Sequence, residues 1–287
     1  MRTFLRSILF LSISLALPAL HAADMSDAAY MASMAAMHAG DSPAPSPVAM
    51  VPPRMPVQGA DVVYASVDGK PVHGYLSRPA AAKGPLPGII VIHEWWGLND
   101  NIRRATDRLA GEGYAALAVD LYGGQAGATP DEATKLMTAA MAHTDLVQSN
   151  LRQAYAYLHE HEQAPRMAVL GWCFGGGWSL QTALLLPEQL DGVIMYYGKP
   201  VTDVAALAKL KMPLIGFFGA EDKGITVDMV QAFEAALKQA KVDEEIHIYP
   251  HAGHAFANPS GQNYQPEAAQ DSWQRTVQFL SRHLGGG

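Results

Sequence analysis

Cysteine, charge and long apolar runs are all scarce in this chain of 287 residues. The single cysteine, Cys173, excludes an intramolecular disulfide and a zinc cluster built on several cysteines. Charged residues make up only 16%, and 27 acidic against 20 basic side chains give a net charge of −7, so no nucleic-acid partner is expected. With 49% hydrophobic residues the composition also excludes a disordered chain, a collagen-like fibre and a coiled coil.

The N-terminus has the pattern of an export signal. Two arginines precede an apolar run over residues 8–20, which is followed by small residues. The run is too short for a helix that spans a bilayer and is typical of a secretory signal peptide. We predict that residues 1–22 form this signal, cleaved after Ala22 or Ala23, with an uncleaved N-terminal anchor as the alternative. The mature protein is then expected to be periplasmic or secreted, in an oxidising compartment, without stable membrane insertion.

The next segment, residues 23–58, is rich in Met, Ala and Pro and lacks the branched and aromatic residues of a core. This composition predicts a flexible linker. Within it Met31, Met34, Met37 and His38 have a spacing that would place them on one face of a short helix. Thioether and imidazole ligands are those that Cu(I) prefers, so the segment either binds Cu(I) or has no ligand at all.

Residues 59–287 show neither an internal repeat nor a second linker and are predicted to form one domain. Short apolar runs alternate with helical patterns, which indicates a mainly parallel sheet covered on both faces. The predicted fold is a doubly wound α/β sheet of about eight strands that starts with an antiparallel hairpin. The predicted strands are 62–66, 72–77, 88–93, 115–120, 167–170, 192–197, 214–219 and 245–249, and the predicted helices are 101–111, 131–161, 175–186, 227–240 and 265–284.

The candidate nucleophile follows the predicted strand at 167–170. Cys173 lies between Gly171 and Gly175 and a predicted helix comes next, which is the pattern of a nucleophile elbow with Cys in place of Ser. Glycines are needed there because strand and helix close on a strained residue, and the helix N-terminus favours a thiolate. The alternative is an inert, buried cysteine.

A thiol nucleophile needs a base and an acid that orients it. In doubly wound sheets such groups follow the strands, and in α/β-hydrolase folds, which have this elbow, their order along the chain is nucleophile, acid, His. Glu221 and Asp222 follow the strand at 214–219, and His251 and His254 follow the last strand. We prefer His254 to His251, since it lies farther into the loop beside a glycine; the choice of acid stays open on the residues alone.

Four segments together resemble the dienelactone hydrolase family, over about residues 60–284. They are Ile-His-Glu-Trp-Trp-Gly-Leu-Asn at 92–99, Gly-Trp-Cys-Phe-Gly-Gly-Gly at 171–177, Glu-Asp-Lys at 221–223 and Ala-Gly-His-Ala-Phe at 252–256. The resemblance implies an α/β-hydrolase fold and a triad of Cys173, Asp222 and His254. It also implies that Glu94 contacts the resting thiol, which stays protonated until substrate displaces the glutamate.

The same resemblance implies hydrolysis of a carboxylic ester or lactone through a thioester. The oxyanion would be met by the backbone N–H groups of Trp95 and Phe174. Aromatic side chains near the strand ends are candidates for the substrate pocket, with ordinary core packing as the alternative: Trp96, Tyr122, Trp172 and Tyr197. The partner is a small-molecule ester or lactone, and neither a cofactor nor a catalytic metal ion is expected.

Two positions depart from the family pattern. Gly124 and Asn258 occupy places where family members that act on dienelactone carry arginines for the substrate carboxylate. Neither can make the bidentate charged contact that a carboxylate prefers, so we expect a neutral or more apolar acyl group. Lys199 and Lys223, in loops after strands, are possible replacements.

A different class of function is also considered. The chain could be a periplasmic binding protein without catalysis on a hydrolase scaffold, with Cu(I) held by the Met-rich arm. Retention of Cys173, Asp222, His254 and Glu94 argues against it, because a binding protein has no need for all four. A thioesterase or acyl transferase would share the first half-reaction. The sequence does not specify the oligomeric state.

Overall fold

The structure is a computed structural model that describes residues 26–38, 40–44 and 51–285. The predicted signal peptide 1–22 and its cleavage site lie outside the described residues. Within the described part of the chain, no helix is both long enough and apolar enough to cross a membrane.

The described residues form a sheet of eight strands in the order β1-β2-β4-β3-β5-β6-β7-β8. Its first strands are antiparallel and those from β3 to β8 run parallel, which confirms the predicted fold class. Each predicted strand is present, most within two residues of its predicted ends. The strands are β1 Val57–Val67, β2 Lys70–Pro79, β3 Gly88–Ile92, β4 Ala115–Val119, β5 Met167–Trp172, β6 Gly192–Tyr196, β7 Leu214–Gly219 and β8 Glu244–Tyr249.

The central strands are apolar because both of their faces are covered. All five residues of β3 and of β4 are buried, whereas the edge strand β8 is only half-buried. The hairpin between β1 and β2 turns at Asp68 and Gly69, with φ of 51° and 70°, as their sequence predicts. The sheet thereby brings the C-terminal ends of β3, β5, β7 and β8 to one edge.

Helices cover the two faces. They are α1 Asp27–Met37, α2 Asp100–Ala110, α3 Pro130–Ala142, α4 Thr144–Ala156, α5 Phe174–Leu185, α6 Val204–Leu207, α7 Val227–Ala240 and α8 Pro266–Leu284, with a π-helical turn at Tyr157–His161. The single helix predicted over 131–161 is wrong, since the backbone breaks at His143 (φ −129°, ψ 53°). The chain turns there so that both α3 and α4 can pack, a tertiary effect that helical periodicity does not reveal. The short helix α6 was not predicted.

Part of the segment whose composition predicts a flexible linker is helical. Ser26 caps α1 by accepting a hydrogen bond from the backbone N–H of Ala29. Tyr30, Met34 and His38 follow at intervals of four residues, and all three are buried against the domain. We call residues 26–44, as far as they are described, the arm.

Candidate active site

Cys173 lies at the sharp bend between β5 and α5. Its backbone has φ 54° and ψ −116°, a strained conformation for a residue with a side chain. A Cβ on Gly171 would lie 2.1 Å from the Gly175 carbonyl oxygen, and one on Gly175 would lie 2.3 Å from the Ile92 oxygen. Strand, bend and helix can therefore approach this closely only with glycine at both positions, as the sequence predicts.

Three side chains from the ends of three strands lie in contact in a row: Cys173, His254 and Asp222. Nε2 of His254 lies 3.2 Å from the sulfur, and Nδ1 of the same ring lies 2.7 Å from Oδ2 of Asp222. Backbone N–H groups of Gly224 and Ile225 donate to Oδ1 of Asp222 at 2.8 and 2.9 Å and fix its orientation. All three side chains are buried.

The alternative acid and base, Glu221 and His251, pair with each other away from these three side chains. Nδ1 of His251 lies 3.3 Å from Oε1 of Glu221, and both side chains are exposed. The structure thus brings the preferred His254 and Asp222 to the sulfur and leaves Glu221 and His251 at the surface.

The charges of this cluster are coupled. Burial would raise the pKa of the Cys173 thiol, but the imidazoles of His254 and His38 outweigh it and lower the pKa. Burial would likewise lower the pKa of His254, yet Asp222 and Cys173 raise it. The arrangement therefore favours a thiolate beside an imidazolium, whereas the family resemblance implies a protonated resting thiol.

Glu94, at the end of β3, is held by two neighbours. Nδ2 of Asn258 donates to its Oε2 at 2.6 Å, and the Tyr197 hydroxyl donates to its Oε1 at 3.4 Å. Burial and the nearby charge of Cys173 raise the pKa of Glu94 to about 8, so the carboxyl is mostly protonated at neutral pH. Asn258 thus orients Glu94. In the sequence this position stands out only because it lacks the arginine of the family pattern, and no sequence signal points to the contact.

The two N–H groups expected to bind an oxyanion occupy different settings. Phe174 is the first residue of α5, so its N–H has no acceptor within the helix. Trp95 follows Glu94 directly, and its fully buried ring stacks on His38 with centroids 4.7 Å apart.

A cavity of about 510 Å³ opens beside Glu94. Trp172 and Tyr197, two of the residues proposed from the sequence for the substrate pocket, line it together with Glu94. Trp96 and Tyr122 are absent from the lining given by the described residues. Trp96 instead packs on Trp95 at 4.8 Å, and Tyr122 packs against the ring of His93 at 4.6 Å. For those two residues, core packing accounts for the position.

Helix α2 adds two cations to the same cavity. Arg104 and Arg108 both line it. The Arg108 guanidinium lies 3.8 Å from the ring centroid of Trp273, while Nε of Arg104 is buried without a hydrogen-bond partner among the described residues. No sequence signal points to these arginines, because they lie on a helix and not at a strand end. The lysines named from the sequence, Lys199 and Lys223, do not line this cavity.

The arm covers the sulfur. Sδ of Met34 lies 3.4 Å from Sγ of Cys173, and Nε2 of His38 lies 3.8 Å from it. Met34 and Cys173 have no exposed surface, and His38 is 1% exposed. Tyr30 is buried one turn before Met34. With the arm in place, the sulfur has no surface that a reactant could reach.

A short loop after α1 fastens the arm to the domain. Oδ2 of Asp41 lies 2.7 Å from Nδ1 of His38, and its Oδ1 accepts from the backbone N–H of Gln262 at 2.9 Å. The Gln262 side chain donates to the Gly40 carbonyl at 2.6 Å. Burial would lower the pKa of His38, but Asp41 and Cys173 raise it to about 9.

The four arm residues predicted to share one helix face separate in the structure. Met34 and His38 contact Cys173, but Sδ of Met31 lies 3.5 Å from the Thr138 hydroxyl. Met37 packs at Gly224, where an added Cβ would lie 2.4 Å from its methyl group. Only two of the four predicted donors therefore reach one place, and there they meet groups of the domain.

Comparison with known proteins identifies the family. The family model "Dienelactone hydrolase family" matches residues 72–284, so the arm precedes the matched region. A "Putative carboxymethylenebutenolidase" of Saccharolobus solfataricus is 32% identical over 257 residues, covering 77% of this chain and 97% of the relative. "Protein usf" of Aquifex pyrophilus is 33% identical over 224 residues, with 76% and 96% covered.

Solved structures agree in fold. The crystal structure of a "Putative Dienelactone Hydrolase" from Klebsiella pneumoniae superposes with a TM-score of 0.72 at 31% identity, covering 79% of this chain and all of that one. A dienelactone hydrolase-like promiscuous phosphotriesterase from metagenomic libraries has the same TM-score at 22% identity, which shows the fold alone. The chain belongs to the dienelactone hydrolase family and is therefore a hydrolase of carboxylic ester or lactone bonds.

Proposed function

We propose that this hydrolase uses Cys173, His254 and Asp222 as a triad and works through a thioester intermediate. The observation that carries the proposal is the linked pair of distances at the bend after β5. His254 lies 3.2 Å from the sulfur on one side and 2.7 Å from Asp222 on the other. This is the geometry of a nucleophile, a base and a group that fixes the tautomer of the base.

In the first half-reaction the Cys173 thiolate attacks the ester carbonyl. The N–H groups of Phe174 and Trp95 would then donate to the developing oxyanion. His254 transfers a proton to the leaving oxygen while Asp222 keeps its Nδ1 proton in place. In the second half-reaction His254 takes a proton from water, which attacks the thioester and releases Cys173.

The thiol restricts the choice of substrate. A tetrahedral intermediate expels a thiolate more readily than an unactivated alkoxide or amide nitrogen, so the leaving group has to be good. Enol esters, strained lactones and activated esters satisfy this condition and peptide bonds do not. The 510 Å³ cavity beside Glu94 has the size of a small-molecule site, and its wall combines the aromatic rings of Trp172 and Tyr197 with polar and charged groups.

The protonated Glu94 fits a role in the resting state. A neutral carboxyl held by Asn258 and Tyr197 does not repel the thiolate of Cys173. Movement of the arm, or of substrate past Glu94, would change which of the two groups, Glu94 or Cys173, holds the proton. The family resemblance attributes such a proton exchange to the residue, and its proximity to the cluster supports that role.

Hydrolysis of p-nitrophenyl acetate by the full chain and by Cys173→Ala tests the proposal. We expect turnover by the full chain and loss of at least about 10³-fold in the variant, as for removal of a nucleophile from a triad. Mass spectrometry of the quenched reaction should show one acetyl group, on Cys173. Equal rates in both proteins would contradict the triad and favour a binding protein on this scaffold. Transfer of the acetyl group to an added alcohol or thiol would indicate an acyl transferase.

We propose further that the protein is exported. The N-terminal pattern of residues 1–22 supports this, and N-terminal sequencing of the protein from a periplasmic fraction tests it. A mature N-terminus at Ala23 or Asp24 is the expected result.

A further inference from the structure

Four soft or borderline donor atoms from the arm and the domain converge on one point. They are Sδ of Met34, Nε2 of His38, Sγ of Cys173 and Nε2 of His254. We propose that this cluster is a Cu(I) site that the arm completes over the nucleophile. Metal binding needs no hydrolysis, so the inference stands apart from the proposed function.

The spacing of the donors suits one small ion. The sulfur of Cys173 lies 3.4 Å from the Met34 sulfur, 3.8 Å from the His38 nitrogen and 3.2 Å from the His254 nitrogen. The two nitrogens and the thiol sulfur all lie within 4.8 Å of one another. Metal–ligand bonds of about 2.0–2.3 Å in a tetrahedron place neighbouring donors roughly 3.5 Å apart. The three distances to the Cys173 sulfur therefore differ from this spacing by only a few tenths of an ångström.

Both imidazoles are oriented as metal ligands usually are. Nδ1 of His254 faces Asp222 and Nδ1 of His38 faces Asp41, each at 2.7 Å. A proton held on Nδ1 by a carboxylate leaves the lone pair of Nε2 free to bind an ion. For His254 catalysis explains this arrangement. For His38 the triad does not, and Asp41 is itself held by the Gln262 backbone.

The donor set selects the metal. A thiolate and a thioether are soft ligands, and together with imidazole they prefer Cu(I) to the harder divalent ions. Met34 is the discriminating ligand, because thioethers are rare partners of Zn²⁺, which takes Cys, His and carboxylate. The site is dry as well, since none of the three side chains Met34, His38 and Cys173 is more than 1% exposed. A cuprous ion so enclosed is shielded from water and oxygen.

The binding step is a ligand exchange without electron transfer. Cu(I) forms bonds to the two sulfurs and the two Nε2 atoms and leaves its carrier ligands behind. Any proton on the Cys173 sulfur or on Nε2 of either His goes to solvent. The sulfur lone pair that would attack an ester then lies in a metal bond, so Cu(I) and ester substrate compete for Cys173.

Competition with a chromogenic Cu(I) chelator, bathocuproine disulfonate, tests the site under anaerobic conditions on the reduced full chain. We expect the protein to remove one equivalent of Cu(I) from the chelator. Cys173→Ala, Met34→Leu and His38→Gln should each weaken the binding by at least about 10-fold. Asp41→Asn, which removes the orienting carboxylate of His38, should cost about 10–100-fold.

Met31→Leu is the matched control, because Met31 lies on the same helix but contacts Thr138. It should bind Cu(I) as the unchanged chain does. Melting curves followed by circular dichroism confirm that each variant is folded. If Met34→Leu unfolds, His38→Gln and Asp41→Asn decide the matter, since both residues lie after α1.

X-ray absorption at the copper edge supplies a second measurement. We expect two sulfur and two nitrogen scatterers in the full chain and one sulfur fewer in Met34→Leu. The inference is overturned if no Cu(I) is taken from the chelator, if Met31→Leu weakens binding as much as Met34→Leu does, or if Cys173→Ala leaves the affinity unchanged. Tighter binding of Zn²⁺ that is insensitive to Met34→Leu would overturn it too. Ester hydrolysis with no copper binding would refute this inference alone, and copper binding with no hydrolysis would refute only the proposed function.

Discussion

The thioether sulfur of Met34 lies 3.4 Å from the thiol sulfur of Cys173, although 139 positions separate the two residues in the chain. This contact joins the arm, which precedes the region matched by the family model, to the proposed nucleophile of the domain. Because Cys173 has no exposed surface while the arm is in place, access to the sulfur depends on the arm.

Removal of residues 26–50 should therefore increase activity. We expect kcat/KM for p-nitrophenyl acetate to rise, because substrate no longer has to displace Met34 and His38. Alkylation of Cys173 by iodoacetamide should accelerate in parallel. The domain is expected to fold without the arm, since relatives of which 96–97% is covered match only 76–77% of this chain. Identical alkylation rates in the two proteins would contradict a covering role for the arm.

Neighbouring acids provide a paired test of the triad. Asp222→Asn should lower kcat by roughly 10³-fold or more, because the amide no longer holds the proton on Nδ1 of His254. Glu221→Gln is the control, since Glu221 pairs with His251 at the surface. Its kcat should stay within about twofold of the unchanged enzyme. Steady-state kinetics at one pH are sufficient, and a larger loss in Glu221→Gln than in Asp222→Asn would show that the wrong acid was assigned.

Glu94 predicts a pH-dependent stability. Its pKa is raised to about 8 in the folded protein, so between its ordinary value of 4.5 and about 8 the folded state binds the proton more strongly than the unfolded state. The stabilisation is present at low pH and is lost as the pH rises through that window. Glu94→Gln cannot ionise and should lose this dependence.

The melting temperature of Glu94→Gln, measured from pH 5 to 9, should therefore rise relative to that of the unchanged chain as the pH increases. Taking the difference between the two proteins cancels the titration of Cys173 and His254 to a first approximation. A constant difference across this range would mean that Glu94 ionises in the folded state as readily as in water.

Two glycines near the bend should differ sharply on replacement by alanine. Gly175→Ala would place a Cβ 2.3 Å from the Ile92 oxygen and 2.5 Å from the His93 oxygen, so we expect a loss of about 3 kcal/mol or insoluble protein. For Gly177→Ala the nearest atom of the described residues is the Lys199 nitrogen, at 3.4 Å. Since Gly177 is inside α5, alanine there should be neutral or stabilising by up to about 1 kcal/mol. Urea denaturation measures both, and an equal loss would refute the close approach at Gly175.

The preference of the enzyme for a neutral or an anionic acyl group can be tested, together with the role of the cavity arginines in it. The absence of arginine at Gly124 and Asn258 predicts that neutral activated esters are hydrolysed faster than lactones bearing a carboxylate. A screen of both classes measures this, with Arg104→Gln as the variant. If anionic substrates are preferred and Arg104→Gln abolishes the preference, the cavity arginines of α2 replace those that the family pattern lacks.

The strands and the bend were predictable because their causes are local. The apolar runs of β3 to β7 and the glycines around Cys173 follow from burial on two faces and from close backbone approach. The strand ends that supply the nucleophile, the acid and the base could also be found by following the order of the strands along the sequence. The break at His143 was not predictable, since it depends on how α3 and α4 pack.

The arm shows the limit of composition as a guide. Its alanines, methionines and prolines are typical of a linker, and the sequence suggests a metal site made by one helix face. The partners of Met34 and His38 are instead Cys173 and His254, more than 130 positions away. The cavity arginines and the contact of Asn258 with Glu94 likewise depend on tertiary placement that no spacing along the chain encodes.

Because Cys173 is the sole thiol of the chain, its reactivity reports how often the covered sulfur becomes accessible. A thiol-reactive dye added to the native protein can label a molecule only during an excursion in which the sulfur is uncovered. The labelling rate of the native protein therefore rises and falls with the fraction of time that the sulfur is uncovered, without any engineered reporter.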